Sequence, residues 1–584
     1  MAFAPDAIVD RRVVCAMTTA LAHRGPSGGG HHFAPGIGLG YRQLFPGDDN
    51  RPVEPATNED GTVRLVGDLA LTNARELAAE LGGLGHRICG RVPADVLPHA
   101  YEEWGDDFVH RLRGAFACAV WDARRRRLLL ARDALGVKPL FYAATGAAIS
   151  FASEIKGLLQ DPEIPHDCDA AALQEYLALQ YVPAPATVLR AVAKLPAGHI
   201  AIAEGDGVSV RRYWDLPRAD HEGRRDSRER LVALARDAVR VESQNDTDPT
   251  LMLSGGQASA IVGAILADTR PAPVVTVTTA VGEAPFTQLA QAHEVAKAIG
   301  SRHHTQLSMP RLADLLPRLA WHLDEPFASP SALEMYLACA ATRQYAERAL
   351  AGGGGRQVMS ALPRWSGGAL RRARLAMGGN AAREAAPGLR GWRRLRRALH
   401  PEFVTATCWT HPLDGLRALS AGCGSRRRVE RDRYLQVKVL PDAVIAPLDR
   451  LSAAVSLEVR LPFLDRRFVE GLVAAPMRPV DSRRGGAWLS PRALPKAMTP
   501  ATAGAMEGRI AAWLRGPLAP MMSDVLLGGR FRQRGLFDHR AVTRLWQQHL
   551  TGRRDHHAPL WSMLMLELWL EHFIDSASVA ARAA

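Results

Sequence analysis

The sequence predicts a chain of two parts: an N-terminal α+β half built around sheets, and a C-terminal α/β half with a parallel sheet. Two observations predict this division. Short apolar runs broken by Gly and Pro, such as GIGLGYRQLF and RRLLLARD, fill residues 1–213 and are typical of strands. From about residue 228, strand-like and helix-like segments alternate, and a glycine turn separates the first strand from its helix.

The individual elements follow the same patterns. Helices are expected at 71–81 and 95–104 in the first half, and at 228–242, 257–268 and 287–299 in the second. Strands are expected at TLMLSGG and PVVTVTTA. The remainder, to about residue 575, reads as mostly helix. The predicted domains are 1–213 and 230–584, joined by a polar linker at 214–229, and a Gly-, Ala- and Arg-rich mobile insertion is expected at about 366–430.

Composition excludes several classes of protein. The 584 residues are 47% hydrophobic, which is ordinary for a soluble globular protein. No run of about 18 uncharged apolar residues predicts a membrane span, and the N-terminus lacks the pattern of a signal peptide. The seven Cys include no C-x-x-C pair, which favours reduced thiols over a zinc site. We therefore expect a cytoplasmic protein that is not bound to a membrane.

The net charge is +13, and basic residues cluster at 371–397 and 425–433. Such runs attract phosphates, so a nucleic-acid surface or a patch for an acidic partner is one interpretation. No helix-turn-helix, zinc-finger or RNP-type pattern accompanies them. We therefore favour a solvated helical face or a mobile insertion, and a nucleic-acid partner is disfavoured.

Ordered strings along almost the whole chain carry a family resemblance. In the first half they include HRGP at 23–26, RLRGAFACAVWD at 111–122, ARDALGVKPLFY at 131–142 and FASEIKGLL at 151–159. In the second half they include LSGG at 253–256, DEPFASPSA at 324–332, DRLSAAVSLEVRLPFLD at 449–465 and LWSMLMLELWLEHF at 560–573. Together these strings resemble glutamine-hydrolysing asparagine synthetases and their beta-lactam-synthetase and lasso-cyclase relatives. The resemblance implies an N-terminal Ntn-type glutaminase sandwich and a C-terminal ATP-pyrophosphatase domain that uses ATP and Mg²⁺.

At the glutaminase site, the positions that the family uses are substituted. Active members carry a Cys after the initiator Met, whose thiolate attacks the glutamine amide, but Ala2 stands here. Val66 replaces the oxyanion-hole Asn, and Pro93 replaces the Asp that holds the glutamine amine. Arg42, Gly67 and Asp68 remain as a remnant of the glutamine site. Glutamine hydrolysis is therefore not expected, although relatives that lack this Cys remain active ligases.

At the ATP site, the resemblance implies two magnesium-binding carboxylates, because a hard cation needs oxygen ligands. In the loop S-G-G-x-D-S the Asp is Ala258; in the second motif Arg356 stands at the metal-binding Asp and Gly353 at a further acidic position. A late Lys that stabilises developing charge aligns with Ala487. The expected remnant of the nucleotide site consists of Leu253, Ser254, Gly255, Gly256, Ser259, Val277, Gly352 and Arg356.

Three possibilities for residual chemistry remain open. Glu458 matches a family position and is the one candidate catalytic residue, although an ion pair with Arg460 or Arg450 explains it equally well. Asp324 and Glu325 are candidates to replace the missing magnesium ligands. Arg356 is a fixed cation that could pair a phosphate without Mg²⁺, so Mg²⁺ binding is doubtful while nucleotide binding is not excluded.

These observations predict an asparagine-synthetase-like protein with degenerate sites, acting as a non-catalytic partner or regulator of an amide-forming enzyme. Its expected partners are a second copy of the chain or an active paralogue. One alternative is a specialised ATP-dependent amide ligase without glutaminase activity, acting on a small-molecule or peptide carboxylate. Another is the family's own reaction, asparagine synthesis from glutamine.

Overall fold

The structure is a computed structural model. It describes residues 2–3, 9–45, 55–88, 93–145, 148–205, 207–217, 227–244, 248–282, 286–360, 389–407, 411–425, 427–474 and 505–575. Among these residues, no helix is both long enough and apolar enough to cross a membrane.

Two antiparallel sheets form the N-terminal half. Their strands are β1 (Ala2–Phe3), β2 (Gly28–Ala34), β3 (Ile37–Gln43), β4 (Ala56–Thr57), β5 (Val63–Leu71), β6 (Gly114–Asp122), β7 (Arg127–Arg132), β8 (Phe141–Thr145), β9 (Ala148–Ala152), β10 (Ala193–Lys194), β11 (His199–Glu204) and β12 (Gly207–Arg212). One sheet has the order β10-β8-β9-β1-β3-β2 and the other the order β12-β11-β7-β6-β5-β4.

The two sheets pack face to face through a buried apolar layer. Phe3, Ile37 and Leu39 from the first sheet meet Trp121 and Leu130 from the second. Along these strands, side chains that face the other sheet alternate with side chains that face away from it. The inward-facing set is apolar, so each sheet buries one face against the other. Helices cover the outer faces, so this half is the four-layer sandwich that the family resemblance implies.

The helices of this half are short. They span Arg11–Ala20, Ala74–Gly83, Pro93–Trp104, Phe108–Arg111, Ile155–Leu158 and Ala170–Leu179, with single 3₁₀ turns at Ala22–Arg24 and Gly105–Asp107. Asp169 begins the last of these helices by accepting the backbone N–H groups of Ala171 and Ala172, which otherwise lack a partner in the first helical turn.

A five-stranded parallel sheet organises the C-terminal half. Its strands are β13 (Thr250–Met252), β14 (Val275–Val281), β15 (Arg302–Ser308), β16 (Arg348–Ala351) and β17 (Glu458–Arg460), in the order β15-β14-β13-β16-β17. Every neighbouring pair is parallel. The chain proceeds from β13 to one side and later returns to the other, so the topological switch point lies between β13 and β16. In such sheets ligands bind at this point, beyond the carboxyl ends of the strands.

Helices make up most of the rest of this half. They span Ser227–Ser243, Gln257–Thr269, Phe286–Ile299, Leu312–Leu323, Ser331–Arg343, Gly355–Ser360, Leu389–Leu395, Pro401–Ala406, Asp414–Ala421, Arg428–Lys438, Ala446–Ala453, Arg466–Ala474, Ala505–Arg515, Ala519–Leu527, Gly529–Gln533, His539–Leu550 and His557–Leu570; 3₁₀ turns span Arg396–Ala398 and Pro462–Leu464, and π-helical turns span Pro441–Ile445 and Glu571–Asp575.

The largest apolar core crosses the boundary between the halves. The helix His557–Leu570 is buried along nearly its whole length, and Trp569 is fully buried. Tyr176 from the N-terminal half lies in the same cluster and donates a hydrogen bond to the carbonyl of Ser562, at 2.8 Å. The two halves are therefore packed as one body over this surface.

The structure confirms the fold class and the helices predicted from periodicity. The helix expected at 257–268 spans Gln257–Thr269, and the one expected at 95–104 spans Pro93–Trp104. Within the predicted linker, Trp214 is buried and its indole N–H donates to Glu470 at 2.6 Å, while residues 218–226 lie outside the described part.

The segment predicted to be a mobile insertion, 366–430, is only partly described. Residues 361–388, 408–410 and 426 lie outside the described part. The remainder forms helices whose Trp392, Leu395 and Phe403 are buried in the large core. The described part of this segment is therefore docked on the body of the protein.

Candidate functional site

The two glycine loops named by the sequence meet at the switch point of the parallel sheet. One loop, 253–256, follows β13, and the other, 352–355, follows β16. They approach so closely that a Cβ on Gly352 would lie 2.5 Å from the backbone nitrogen of Ser259. Gly255 has a φ of +73°, and a Cβ there would lie 2.7 Å from the carbonyl oxygen of Gln288. Both positions thus require glycine.

Hydrogen bonds hold the first loop in a defined shape. The backbone N–H of Leu253 donates to the carbonyl of Val277 at 2.8 Å, which fixes the end of β13 against β14. The Ser259 hydroxyl lies 3.1 Å from that of Ser254 and donates to the carbonyl of Gly256 at 3.0 Å. No side chain caps the helix Gln257–Thr269, which starts directly after Gly256. The loop therefore keeps the backbone form of an anion-binding helix N-terminus.

Apolar side chains surround two of the substituted acidic positions: Ala258, where the family has a magnesium ligand, and Gly353. Ala258 is buried in a cluster with Phe463 and Leu461. A Cβ on Gly355 would lie 3.0 Å from the Ala258 Cβ and 2.6 Å from Phe463 Cδ2. A Cβ on Gly353 would lie 3.0 Å from the nearest side-chain atoms of both Leu448 and Leu461.

This packing gives a carboxylate at either position an apolar setting, where an uncompensated charge is costly. Arg356, at the third substituted position, is exposed in the short helix after the second loop. Ala487 lies outside the described residues.

Asp324 and Glu325 are close-packed rather than open to a metal. The Asp324 carboxylate accepts the backbone N–H groups of Ile155 and Lys156 and lies 3.0 Å from the Lys156 ammonium. Glu325 lies 2.9 Å from an Arg450 guanidinium nitrogen and 3.0 Å from the Lys194 ammonium. Both carboxylates are nearly inaccessible to solvent. Their charge is already neutralised by cations, so neither is poised to bind magnesium.

Glu458 lies at the start of β17 between two guanidinium groups. Its oxygens accept from Arg460 Nε at 2.7 Å and from Arg348 Nε at 3.2 Å. Burial alone would raise the pKa of Glu458. The positive charges of Arg460 and other nearby cations have the larger effect and hold this pKa below its usual range. A carboxylate kept ionised between two arginines serves an ion-pair role and is a poor proton acceptor. Arg450, the other partner considered from the sequence, instead contacts Glu325.

In the N-terminal half, the glutamine-site remnant Asp68 is part of an ion cluster that joins the two halves. Arg24 donates to Asp68 at 2.9 Å and to Asp449 at 2.7 Å, and Lys138 lies 2.9 Å from Asp68. Burial alone would raise the pKa of Asp68, but the ammonium of Lys138 and the guanidinium of Arg24 lower that pKa to about 2. Asp68 is therefore an ionised member of a structural cluster.

Arg24 extends this cluster to Glu154. The fully buried Glu154 accepts from Arg24 at 2.9 Å, lies 3.0 Å from His23 Nε2 and pairs with Lys156. Lys156 in turn reaches Asp324 of the C-terminal half. Sequence reasoning did not find these contacts between the halves, although the charged residues inside FASEIKGLL and HRGP are a signal that could have suggested them.

The other glutaminase positions have structural surroundings. The Arg42 Nε donates to the carbonyl of Gly25 at 3.0 Å, which fixes the neighbouring turn. A Cβ on Gly67 would lie 2.8 Å from Cys118 Cβ, so the strands β5 and β6 are close-packed there. Val66 is buried between the sheets, and Pro93 is the first residue of its helix. Ala2 pairs with Gly38 and Ser150 in the first sheet.

Described cysteines near this sandwich do not replace the missing nucleophile. Cys118 is buried in β6, and burial raises the pKa of its thiol to about 12, so the thiolate is scarce at neutral pH. Cys15 is exposed on the helix Arg11–Ala20 and, being internal, carries no free amine to act as its base.

Comparison with known proteins agrees with this architecture. A glutamine amidotransferase domain model matches residues 4–214, and an asparagine synthase model matches residues 230–571, more than half of the chain. The chain belongs to the asparagine synthase family.

Individual members of the asparagine synthase family are similar along much of their length. Asparagine synthetase [glutamine-hydrolyzing] 3 of Bacillus subtilis is 27% identical over 516 residues, which cover 83% of this chain and 82% of that protein. Asparagine synthetase [glutamine-hydrolyzing] 1 of the same organism is 29% identical over 347 residues, covering 58% of this chain and 54% of that protein. A solved glutamine PRPP amidotransferase from B. subtilis has 16% identity and a TM-score of 0.28, covering 53% of this chain and 65% of that one.

Proposed function

We propose that this member of the asparagine synthase family is catalytically silent and acts as a partner or regulatory subunit of an active amide-forming enzyme. The observation that carries the proposal is the apolar packing of Ala258 and Gly353 against Phe463, Leu448 and Leu461. ATP-dependent carboxylate activation requires a cation to neutralise the triphosphate. Of the two positions that would hold this cation, Ala258 is instead part of the core, and the other is occupied by the exposed cation Arg356.

The preserved fold supports a role that needs the shape of the protein. Loops that require glycine at 255 and 352 are retained although the acidic residues beside them are replaced. The ion cluster around Arg24 and Glu154 links the halves through Arg24 and Asp449 at 2.7 Å and through Lys156 and Asp324 at 3.0 Å. Residues that build the scaffold have been kept, whereas residues that perform the chemistry have changed.

A specialised amide ligase is the second candidate. It would keep ATP binding through the helix N-terminus after Gly256 and hold Mg²⁺ with repositioned ligands, for which Asp324 and Glu325 are the candidates. The pairing of Asp324 with Lys156 and of Glu325 with Arg450 weighs against this candidate, because neither of these two carboxylates is released for Mg²⁺. Asparagine synthesis from glutamine, the reaction that the family's label suggests, would in addition need a nucleophile that Ala2 cannot provide.

Pyrophosphate release separates the first two candidates. The purified full chain is incubated with ATP, Mg²⁺, ammonia and a panel of carboxylates, beside an active family member as positive control. We expect no release above the enzyme-free background. Release that depends on a carboxylate would overturn the proposal in favour of the ligase.

Partnership is tested directly with an active family member encoded by the same organism. We expect the two proteins to co-elute in size-exclusion chromatography with light scattering, and the rate of the active enzyme to change when the chain is added. Independent elution with an unchanged rate would contradict the partner role.

A further inference from the structure

A cluster of two histidines and two glutamates lies in the N-terminal half, on residues that neither site uses. Glu59 lies in the turn between β4 and β5, and His86 in the loop after the helix Ala74–Gly83. His99 and Glu102 lie three positions apart on the helix Pro93–Trp104, so they share a face. One ligand atom from each of the four can be chosen so that all lie within 4.8 Å of one another.

The distances inside the cluster approach those of a metal site. His99 Nδ1 lies 3.0 Å from Glu59 Oε2, and His86 Nδ1 lies 3.6 Å from Glu59 Oε1. Ligands at about 2.1 Å from a tetrahedral ion lie about 3.4 Å apart. The two imidazole rings are 5.4 Å apart and inclined by 73°, so they are not stacked on each other.

His99 gives a second and independent indication. Its side chain is buried, with only 2% of the residue exposed, yet its Nδ1 makes no hydrogen bond. The nearby Glu59 oxygen is within distance but lies outside a hydrogen-bonding direction. A buried polar atom without a partner is costly, and a metal ion bound between Nδ1 and the carboxylate would satisfy it.

Neighbouring groups orient the would-be ligands. The second nitrogen of His86, Nε2, lies 3.2 Å from Glu103 Oε2, which leaves its Nδ1 free to offer a lone pair. Asn58 donates to Glu102 Oε2 at 3.0 Å, and the backbone N–H of Arg87 donates to Glu59 Oε1 at 2.6 Å. A carboxylate that accepts from the far nitrogen of a histidine is the usual support for a metal-binding imidazole.

We propose that Glu59, His86, His99 and Glu102 form a structural site for a divalent transition ion of the zinc class. Two neutral imidazoles and two carboxylates balance the charge of such an ion, and this mixed nitrogen and oxygen set suits zinc. Mg²⁺ prefers an octahedron of oxygen ligands and is not expected here. The ion would fasten the β4–β5 turn and the 84–88 loop to the helix that starts at Pro93.

Zinc binding by the untagged full chain tests the proposal. The protein is stripped with chelator, exposed to Zn²⁺, freed of excess metal and assayed for metal content and thermal stability. We expect one zinc per chain and a higher melting temperature with zinc. His99→Gln and Glu59→Gln should abolish this zinc binding, and Glu103→Gln should weaken it by about 10- to 100-fold.

Two further variants keep the test interpretable. His110→Gln is the matched control, because His110 lies 3.8 Å from Asp107 in an exposed pair within the same half and should bind zinc like the wild type. Since substitution of the buried His99 could disturb folding, the exposed Glu102→Gln variant is measured beside it, with circular dichroism as a check of fold. Failure of the wild type to bind zinc, or unchanged zinc binding in Glu59→Gln and Glu102→Gln, would overturn the proposal.

Discussion

Ala258 lies where the family places a magnesium ligand, and it is buried in an apolar cluster with Phe463 and Leu461. The Cβ positions of Gly352 and Gly355 would each lie 3.0 Å from the Ala258 Cβ, and Phe463 borders the same space. A single substitution that restores the acid would therefore add a buried charge without the second carboxylate or a solvated pocket.

Ala258→Asp should destabilise the protein by about 2–4 kcal/mol, because the carboxylate would have to enter the buried apolar cluster that contains Phe463 and Leu461. It should not create pyrophosphate release. The matched control is Gln257→Asp, which places the same charge one residue earlier at a half-buried position in the first helical turn, where negative charge is tolerated. Chemical denaturation of both variants measures the difference. Equal stability of Ala258→Asp and the wild type would show that the site is open.

Asp68 provides a residue-scale prediction about pH. Its pKa is about 2 in the folded protein, below the ordinary value of 3.8, so its contribution to stability is present above about pH 4. That contribution is lost as the pH falls through about 2. With its side chain 30% exposed, solvent screening limits the contribution to the order of 1 kcal/mol.

Asp68→Asn should lower the free energy of unfolding at pH 7 and flatten its dependence on pH between about 4 and 2. Denaturant titrations at several pH values measure both effects. Asp107→Asn, at a side chain that is 82% exposed, is the control and should change neither. An unchanged slope in Asp68→Asn would contradict the role of the Arg24 and Lys138 contacts.

At the scale of elements, the Arg-rich helix Leu389–Leu395 is anchored by one aromatic side chain. Trp392 and Leu395 are buried in the large core, whereas Arg393 is exposed. The clustered charges predicted a solvated helix face, and the exposed Arg393 lies on such a face. The sequence did not show which part of the protein the apolar side chains of this helix would contact.

Trp392→Ala should destabilise this segment by about 3 kcal/mol or more, since a large buried side chain is removed. Limited trypsin digestion should then cut within 389–425 faster than in the wild type. Arg393→Ala, which removes an exposed side chain next to it, should leave the rate of cleavage elsewhere in the segment unchanged. Equal protection in Trp392→Ala and the wild type would mean that the helix is not docked through this residue.

The sequence predicted local helices and strands better than it predicted contacts between distant residues. Periodicity and glycine placement predicted the strand, loop and helix around 253–269 because those signals are local. The family resemblance implied that the loops at 253–256 and 352–355 belong to one nucleotide site, and the structure brings these loops together. The charge cluster was not predictable in the same way, because Arg24 and Asp449 are 425 residues apart and only the folded chain brings them together. Likewise, the leucines that surround Gly353 come from distant segments, so sequence showed the lost acid but not the space that it would have to enter.

At the scale of the whole molecule, the halves are joined by a common apolar core and by buried ion pairs. Arg113, at the end of the N-terminal sandwich, donates to Asp465 at 2.8 Å and to Asp237 at 2.7 Å, both from the C-terminal half. Together with the cluster around Arg24, these contacts make separate unfolding of one half costly. The half that stays folded would keep buried charges whose partners had been removed.

We therefore expect the full chain to unfold in one calorimetric transition, whereas Glu154→Gln should broaden or split it. Glu154 pairs with three groups, His23, Arg24 and Lys156, of which the last leads to the C-terminal half. Two resolved unfolding transitions in the wild type would contradict the expectation that the two halves unfold cooperatively.

We propose that this protein has kept the fold of the asparagine synthase family without the means to hold magnesium and ATP together. Calorimetric titration with ATP, in the presence and absence of Mg²⁺, tests this directly, because it does not require the substrate or the partner to be known. We expect Mg²⁺ to leave the affinity for ATP unchanged. This result is expected if the protein does not bind ATP at all, and also if the glycine loop and Arg356 bind it without a metal. Tight ATP binding that appears only when Mg²⁺ is added would contradict the proposal.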